Sequence, residues 1–515
     1  MALLVTGKIV TVKSLVQNGK SHCRPGAVTS LPSFVATNLA LVAGFVRTHG
    51  VSAMLPQLHP TMDHIVVGLA SRPLQRILGL GFGLALAFGS TVGVGILRLP
   101  GTLAAALGDS RLVMLFWVVG GVYALFGAVA VSELAAMVPT AGGFYVYARR
   151  AFGERGGFVI RWSDWIVNSS ATAYTSITAA SFVAKVWAPA AAYSQAAALA
   201  ILATFTGLHW VGLRLSRSVT GIISVTVGLM LLALVIGCLV TAPAPALKGV
   251  APLGSAASLP LLSMAMIAAI VTAMRSVLAT FDGWYGPIYV AEESAEPART
   301  LPRAIIGGTV LIAFLYLIIN GAFIRVLPLP VLAASQLPAA DAATVIMGRG
   351  GALVVTVISF VTMFSLMNAL LITTPRILLG MARDGLGIER AAVVSASGTP
   401  RFALGLTSLA AALLIVTGTF EQILALGVVL FMFNYISAYA AVFVLRHREP
   451  TLPRPYRALG YPLSTAVVLV GSVLFLVAAV AEDRRSAIIV AALFMASIPA
   501  YALTVRGRNS AQTTS

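Results

Sequence analysis

From residue 77 onward the chain repeats one pattern: a long apolar run, then a short gap of basic, glycine or proline residues. Each run is close to the ~20 residues that an α-helix needs to cross a bilayer. The pattern predicts twelve spans, with approximate centres at Gly93, Val122, Thr172, Ala203, Met230, Ala279, Leu315, Thr362, Ala411, Phe433, Val470 and Leu493. The expected fold class is an all-α polytopic membrane protein.

The first 62 residues break the pattern. They contain no acidic residue, Asp63 being the first, and their longest apolar stretch, residues 34–46, is too short to span. They lack the basic start, apolar core and small-residue cleavage site of a secretory signal. Residues 1–62 are expected to be an unpacked leader, with translation starting at Met54 or Met62. N-terminal peptides from residues 1–50 in a mass spectrum would refute that start.

Composition agrees with the pattern. Of 515 residues 59% are hydrophobic and only 10% charged, against about 25% charged in soluble domains. A mean hydropathy of +0.95 leaves too few charges for a polar shell. The net charge of +18 would raise nucleic acid in a soluble protein, but no run interleaves Lys or Arg with aromatics, so nucleic-acid binding is excluded. Cys23 and Cys238 are far apart, and no His/Cys cluster has metal-ligand spacing, so no metal and no cofactor is expected.

The charges set orientation instead. With the N-terminus in the cytoplasm, about 20 Lys and Arg after Ala70 fall on cytoplasmic segments and about 9 elsewhere. The cytoplasmic set includes Arg149, Arg150, Arg155, Arg299, Arg303, Arg376, Arg383, Arg446 and Arg454. An even span count returns the C-terminus to the same side.

Two spans carry helix breakers. The first contains Gly89-Ser90-Thr91-Val92-Gly93-Val94-Gly95-Ile96, and the sixth Phe281-Asp282-Gly283-Trp284-Tyr285-Gly286-Pro287. Glycines in a membrane helix are often packing devices. An ionisable group costs roughly 2.5–3.5 kcal/mol at mid-membrane on insertion scales, so Asp282 at the second break points to function. Spans one and six are equivalent if spans 1–5 and 6–10 form inverted repeats, and paired interruptions at matching positions point to a transporter's central site. Unwinding bares backbone N–H groups at one half-helix N-terminus, which favour a carboxylate, and carbonyls at a C-terminus, which favour an ammonium. Together they suit a zwitterion.

These residues resemble the amino acid–polyamine–organocation (APC) superfamily of permeases over residues 77–506. Gly93-Val94-Gly95-Ile96 with Pro100-Gly101 is similar to that family's broken first helix. Ser132-Glu133-Leu134-Ala135-Ala136-Met137-Val138-Pro139 and Ala141-Gly142-Gly143-Phe144-Tyr145-Val146-Tyr147 look like its second-helix signature. Phe152-Gly153, Gly157-Phe158 and Trp162 with Trp165 extend the match into the third helix. Ala291-Glu292-Glu293 with Leu301-Pro302-Arg303, Met381-Ala382-Arg383-Asp384-Gly385, Thr399-Pro400 and Pro453-Arg454-Pro455-Tyr456-Arg457 continue it in order.

The resemblance implies two inverted five-helix repeats (LeuT-like), residues 77–241 and 262–446, plus two C-terminal helices within residues 463–506. It implies a substrate carboxylate at Thr91, Gly93, Val94, Gly95 and Ile96, and an amino group at Phe281, Asp282, Gly283 and Trp284. Phe281 and Trp284 are its candidate gates, with Glu292 and Glu293 at the cytoplasmic mouth, there as gate or as structural partners of Arg299, Arg303 or Arg376. Asn168, Tyr174, Asn368 and Asn434 lie on spans that line the site in this fold, as contacts or as interhelical hydrogen bonds. Asp282 serves substrate ammonium or a proton, or pairs with Arg98 or Arg275. Glu133 gates, or pairs with a loop arginine.

Two departures matter. Several proton-coupled relatives carry a lysine in the fifth helix, and residues 222–240 contain none. Heavy-chain-linked eukaryotic members use a cysteine after the third helix, and residues 187–193 contain none. That implies a chain without a disulfide-linked heavy chain, in a bacterial inner membrane. No Gly-x4-Gly-Lys-Ser/Thr loop is present, which argues against ATP-driven transport in cis. No constellation of His, Cys, Ser or paired carboxylates supports an enzyme. The expected function is secondary transport of amino acids or related amines by alternating access, as symporter or exchanger, with protons a candidate coupling ion. An amino-acid-binding sensor on the same fold is the alternative.

Overall fold

The computed structural model describes residues 79–513, apart from 141, 212–216, 243–253, 259, 261–262 and 396–398, together with two short strands near the N-terminus. Those strands, β1 (Ala2–Val5) and β2 (Lys8–Thr11), pair antiparallel with Ala2 opposite Thr11. Val5, Ile9, Val10 and Thr11 in these strands are strand formers. The rest of residues 1–62, with the candidate starts Met54 and Met62, lies outside the described residues. The hairpin belongs to a separate unit, residues 1–73, and all that follows concerns the unit of residues 74–515.

The regular elements described in that unit are helices. Eight are long and apolar enough to cross a membrane: residues 110–137, 194–211, 221–240, 264–293, 297–326, 353–383, 422–448 and 463–481. A ninth is a broken pair, α1 (Leu80–Thr91) and α2 (Val94–Leu107), bent by 44°. The protein is therefore a polytopic membrane protein, and the described elements of this unit are helical.

The first half continues with α3 (Ser110–Met137), α4 (Phe144–Val186), α5 (Ser194–Val211) and α6 (Arg217–Val240). The Asp109 carboxylate caps α3 by accepting from the N–H groups of Arg111 and Leu112. α4 is interrupted at Gly153, whose φ of +81° is open to glycine and costly for other residues. That break separates the short basic stretch ending at Phe152 from the span centred on Thr172.

The second half comprises α7 (Met264–Phe281), a 3-10 segment (Gly286–Glu293), α8 (Pro297–Val326), the short α9 (Leu329–Ala334) and α10 (Pro338–Met347), and α11 (Arg349–Arg383). Then follow α12 (Arg401–Thr417), α13 (Phe420–Arg448), α14 (Leu463–Glu482) and α15 (Arg484–Thr513). Thr419 and Gln422 form a reciprocal capping box at the start of α13.

Burial separates the centre from the rim. About 72% of the apolar window of α11 and 67% of that of α13 is buried, against 17% for α5. α4 packs along α13 and α11, α8 along α3, and α2 along α7. On α6 the exposed residues include Ile222, Val225, Leu229, Leu232, Ile236 and Leu239, spaced alternately by three and four. That spacing is one helical stripe, and it is wholly apolar. The side away from the bundle is built to meet hydrocarbon.

Candidate functional site

The two breaks face each other at the centre of the bundle. α1 ends as Val92 turns extended, and α2 restarts with no side chain capping its first turn. The N–H groups of that turn are therefore available. α7 ends at Asp282, also extended, followed by Gly283 at φ +114°. A Cβ at Gly283 would collide with the Ser90 carbonyl, so glycine is needed for both its conformation and this approach. At Gly95 a Cβ would stand 2.6 Å from the Thr280 Cα, so α2 and α7 meet backbone to backbone.

Side chains tie the breaks together. The Ser90 hydroxyl lies 2.8 Å from the Gly283 carbonyl. The Tyr316 hydroxyl on α8 lies 3.1 Å from both the Thr91 and the Thr280 carbonyls, oxygens that the two helix ends leave without intrahelical donors.

A cavity of about 40 Å³ sits against this junction, with room for a few water molecules and no room for an amino acid. Ser90, Thr91, Gly95 and Leu99 line one side, and Ala279, Asp282, Gly283, Tyr285 and Tyr289 another. α4 adds Asn168 and Tyr174, α11 adds Leu366, Leu370 and Thr373, and α13 adds Phe420 and Leu424. Asp282 is the acidic group on this lining. Its Oδ1 accepts from the Tyr435 hydroxyl at 2.7 Å and its Oδ2 from that of Tyr285 at 3.2 Å. The Gly283 N–H also bonds this carboxylate, so of its roughly four lone-pair positions one remains for another donor.

Of the residues singled out in the sequence, Thr91, Gly95, Asn168, Tyr174, Asp282 and Gly283 reach the cavity. Others do not. Ile96 is fully buried in the core, and a Cβ at Gly93 would meet Leu366. Val94 starts α2, so its contribution is its place in the backbone. Phe281 points into a different aromatic cluster, with ring centroids 5.1 Å from Tyr316 and 6.1 Å from Trp117. Gly120 and Gly121 of α3 make the room it occupies. Trp284 stacks on Tyr435 over Gly127. Neither expected aromatic gate touches the cavity; Phe420, Tyr174, Tyr285 and Tyr289 form its aromatic boundary instead. Asn368 is buried off the lining, and Asn434 donates to Asp164 at 3.3 Å.

Arg98 lies over the Phe420 ring, its guanidinium 3.9 Å from the ring centroid. At the other end of the bundle, rich in arginine, a second cavity of about 500 Å³ is lined by Tyr145, Arg149, Arg150, Glu292, Arg376, Arg383 and Asp384. Glu293 pairs with Arg376 at 3.0 Å. Glu133, 1% exposed, is held bidentately by Arg446 at 2.8 and 2.6 Å, by Arg454 at 3.4 Å, and by the Ala458 N–H at 2.7 Å. Its structural partners are therefore on α13 and the loop after it.

A model of the amino acid permease family matches residues 83–498. The chain belongs to that family. The permease is 25% identical over 433 residues to the serine/threonine exchanger SteT of Bacillus subtilis, which covers 83% of this chain and 96% of that protein. It is 25% identical to the mouse b(0,+)-type amino acid transporter 1, covering 80% of this chain and 84% of the relative. It is 26% identical to the mouse Asc-type amino acid transporter 1, covering 75% and 73%. The APC resemblance read from the ordered motifs is thus correct.

Proposed function

We propose that this permease is a secondary transporter that carries amino acids across a cell membrane by alternating access, as exchanger or symporter. The observation that carries the reading is the paired break: Gly95 in the uncapped first turn of α2 and the Asp282 carboxylate line one cavity. A carboxylate at the amides of residues 94–96 gains about 0.3–1 kcal/mol from the helix dipole, up to ~2 when partly buried. The ammonium meets the open lone pair of Asp282 and the carbonyls ending α7. The relatives, each named as an amino acid transporter or exchanger, support the solute class.

The lining favours a neutral side chain. Once Asp282 serves the ammonium, Leu99, Val167, Leu366, Leu370 and Leu424 offer no counter-charge to a charged side chain. The fold we propose has twelve spans, the nine above joined by those containing Thr172, Ala411 and Leu493. It is arranged as two inverted five-helix repeats plus two helices, with both termini cytoplasmic. In that orientation Glu293–Arg376 closes the cytoplasmic side of the site.

The deciding experiment is uptake of radiolabelled L-serine, L-threonine and L-leucine into proteoliposomes, with and without the same amino acid inside. Uptake that rises with internal amino acid supports exchange, and uptake without internal substrate supports symport or uniport. Binding of these solutes with no flux in any mode would overturn the proposal.

A further inference from the structure

We infer that Asp164 on α4 is the proton-binding group of the transport cycle, an inference that rests on the transporter reading above. Asp164 is fully buried beside the site without lining it. Its Oδ1 accepts three hydrogen bonds, from the Tyr289 hydroxyl at 2.7 Å, Asn168 Nδ2 at 3.2 Å and Asn434 Nδ2 at 3.3 Å. Among the described residues its buried Oδ2 has no hydrogen-bond partner. A bare carboxylate oxygen in a dry interior is a costly arrangement, and protonation of that oxygen removes the charge.

Two of the donors, Tyr289 and Asn434, come from elements other than the α4 that carries Asp164. Tyr289 lies on the 3-10 segment that follows the α7 break, and both it and Asn168 line the cavity. Asn434 lies on α13. When Tyr289 donates, the anion is supported; when the segment withdraws Tyr289, the carboxylate takes a proton on Oδ2 from hydronium, releasing water. The proton returns to water when Tyr289 comes back. No other bond is made or broken.

The surrounding charges give the proton a direction. Tyr289, Arg161 and Asp282 act electrostatically on Asp164, as does Tyr285 from the same break. α13 supplies Asn434, together with Tyr435, which is bound to Asp282. Arg161, one turn earlier on α4, is buried with its guanidinium 3.6 Å from the Tyr145 ring centroid, and it pairs at 3.4 Å with Asp384, the residue that ends α11. Tyr145 and Asp384 line the 500 Å³ cavity, so the wall between Asp164 and water at the arginine-rich end is Arg161 with its neighbours. Asp282 is less suited to the role, because both of its oxygens are bonded and it faces the solute.

The test uses the full chain in proteoliposomes with radiolabelled L-serine, or L-leucine if serine is not carried. An acid-outside gradient of about one unit should raise wild-type accumulation by up to about tenfold for one proton per solute. Asp164→Asn, which keeps the Oδ1 acceptor, should lose that response while exchange of external for internal amino acid persists. A gradient response retained by D164N, or absent from a wild type that exchanges, overturns the inference. Replacing sodium by choline should change nothing; uptake that follows sodium and ignores pH also overturns it. If D164N carries nothing in either mode, amino-acid-induced thermal stabilisation of the purified protein decides. Wild-type apparent affinity should rise as pH falls, by up to about tenfold per pH unit, and that of D164N should not. A pH-independent wild-type affinity refutes the proton role. A wild type that neither takes up nor exchanges any of the three amino acids would sink the transporter reading itself.

Discussion

Gly95→Ala adds one methyl at the closest approach of the two broken helices. The new Cβ would stand 2.6 Å from the Thr280 Cα, 2.9 Å from its Cβ and 2.8 Å from its Oγ1. Ordinary carbon contacts are about 3.5–4.0 Å, so α2 must retreat from α7 by roughly 1 Å. Thr280 cannot give way cheaply, since the Cα is backbone and its hydroxyl is bonded to the Ser276 carbonyl at 2.7 Å. Overpacking of this kind costs about 1–3 kcal/mol. A shift of that size also carries the Tyr316 hydroxyl out of reach of one of its two carbonyls, both now at 3.1 Å.

If the cost falls on the bound state, G95A should weaken amino-acid binding by about 5–150-fold, at 1.4 kcal/mol per tenfold. The assay is ligand-induced thermal stabilisation of purified protein, with proteoliposome uptake in parallel. Gly93→Ala is the internal control. There the obstacle is the Leu366 Cδ2 at 2.6 Å, the end of a side chain that can change rotamer, so the loss should be smaller. G95A binding and transporting within about twofold of wild type, or G93A proving worse, would refute the reasoning.

Further outcomes follow from other contacts. Asp282→Asn keeps the shape and removes the charge, so binding should fall by about 1.5–3 kcal/mol, the range of a charge-assisted hydrogen bond, with melting temperature little changed. Arg446→Ala strips the bidentate partner from the buried Glu133 and should destabilise the protein by up to about 3–5 kcal/mol, read as lost folded yield and a lower melting temperature. Arg376→Glu should abolish transport by placing two carboxylates at the Glu293 contact, and Glu293→Arg in the same chain should restore part of it. Restoration distinguishes an ion-pair closure from a fold defect.

Much of the fold could be read from the sequence because a bilayer asks for a simple signal. Eleven of the predicted span centres fall within helices, and the remaining one, Gly93, falls on the break that its glycines announced. The α7 break was legible for a similar reason, since Asp282-Gly283 and Gly286-Pro287 cannot all continue a helix in hydrocarbon. Facing was not legible. Phe281 is adjacent to Asp282 in sequence, yet the Gly120–Gly121 gap in α3 takes its ring the other way, and no local pattern records that. Asp164 fell at the inner edge of a predicted span, where a charge is ordinary. Only the helix continuing past it and the crossing of α13 bury it. Tyr316 sits in an apolar run and reads as one more aromatic. Its role exists only because both helix ends stop beneath it.

Tyr316 has one proton and two takers. A hydroxyl set evenly between two carbonyls cannot serve both at full strength. As one broken helix tilts away, the other becomes the better acceptor, and what is lost on one side is regained on the other. The hinge therefore swings about a bond that is traded rather than broken. The two halves of the molecule can part company at this point without either being left with a stranded dipole in the dry centre of the bundle.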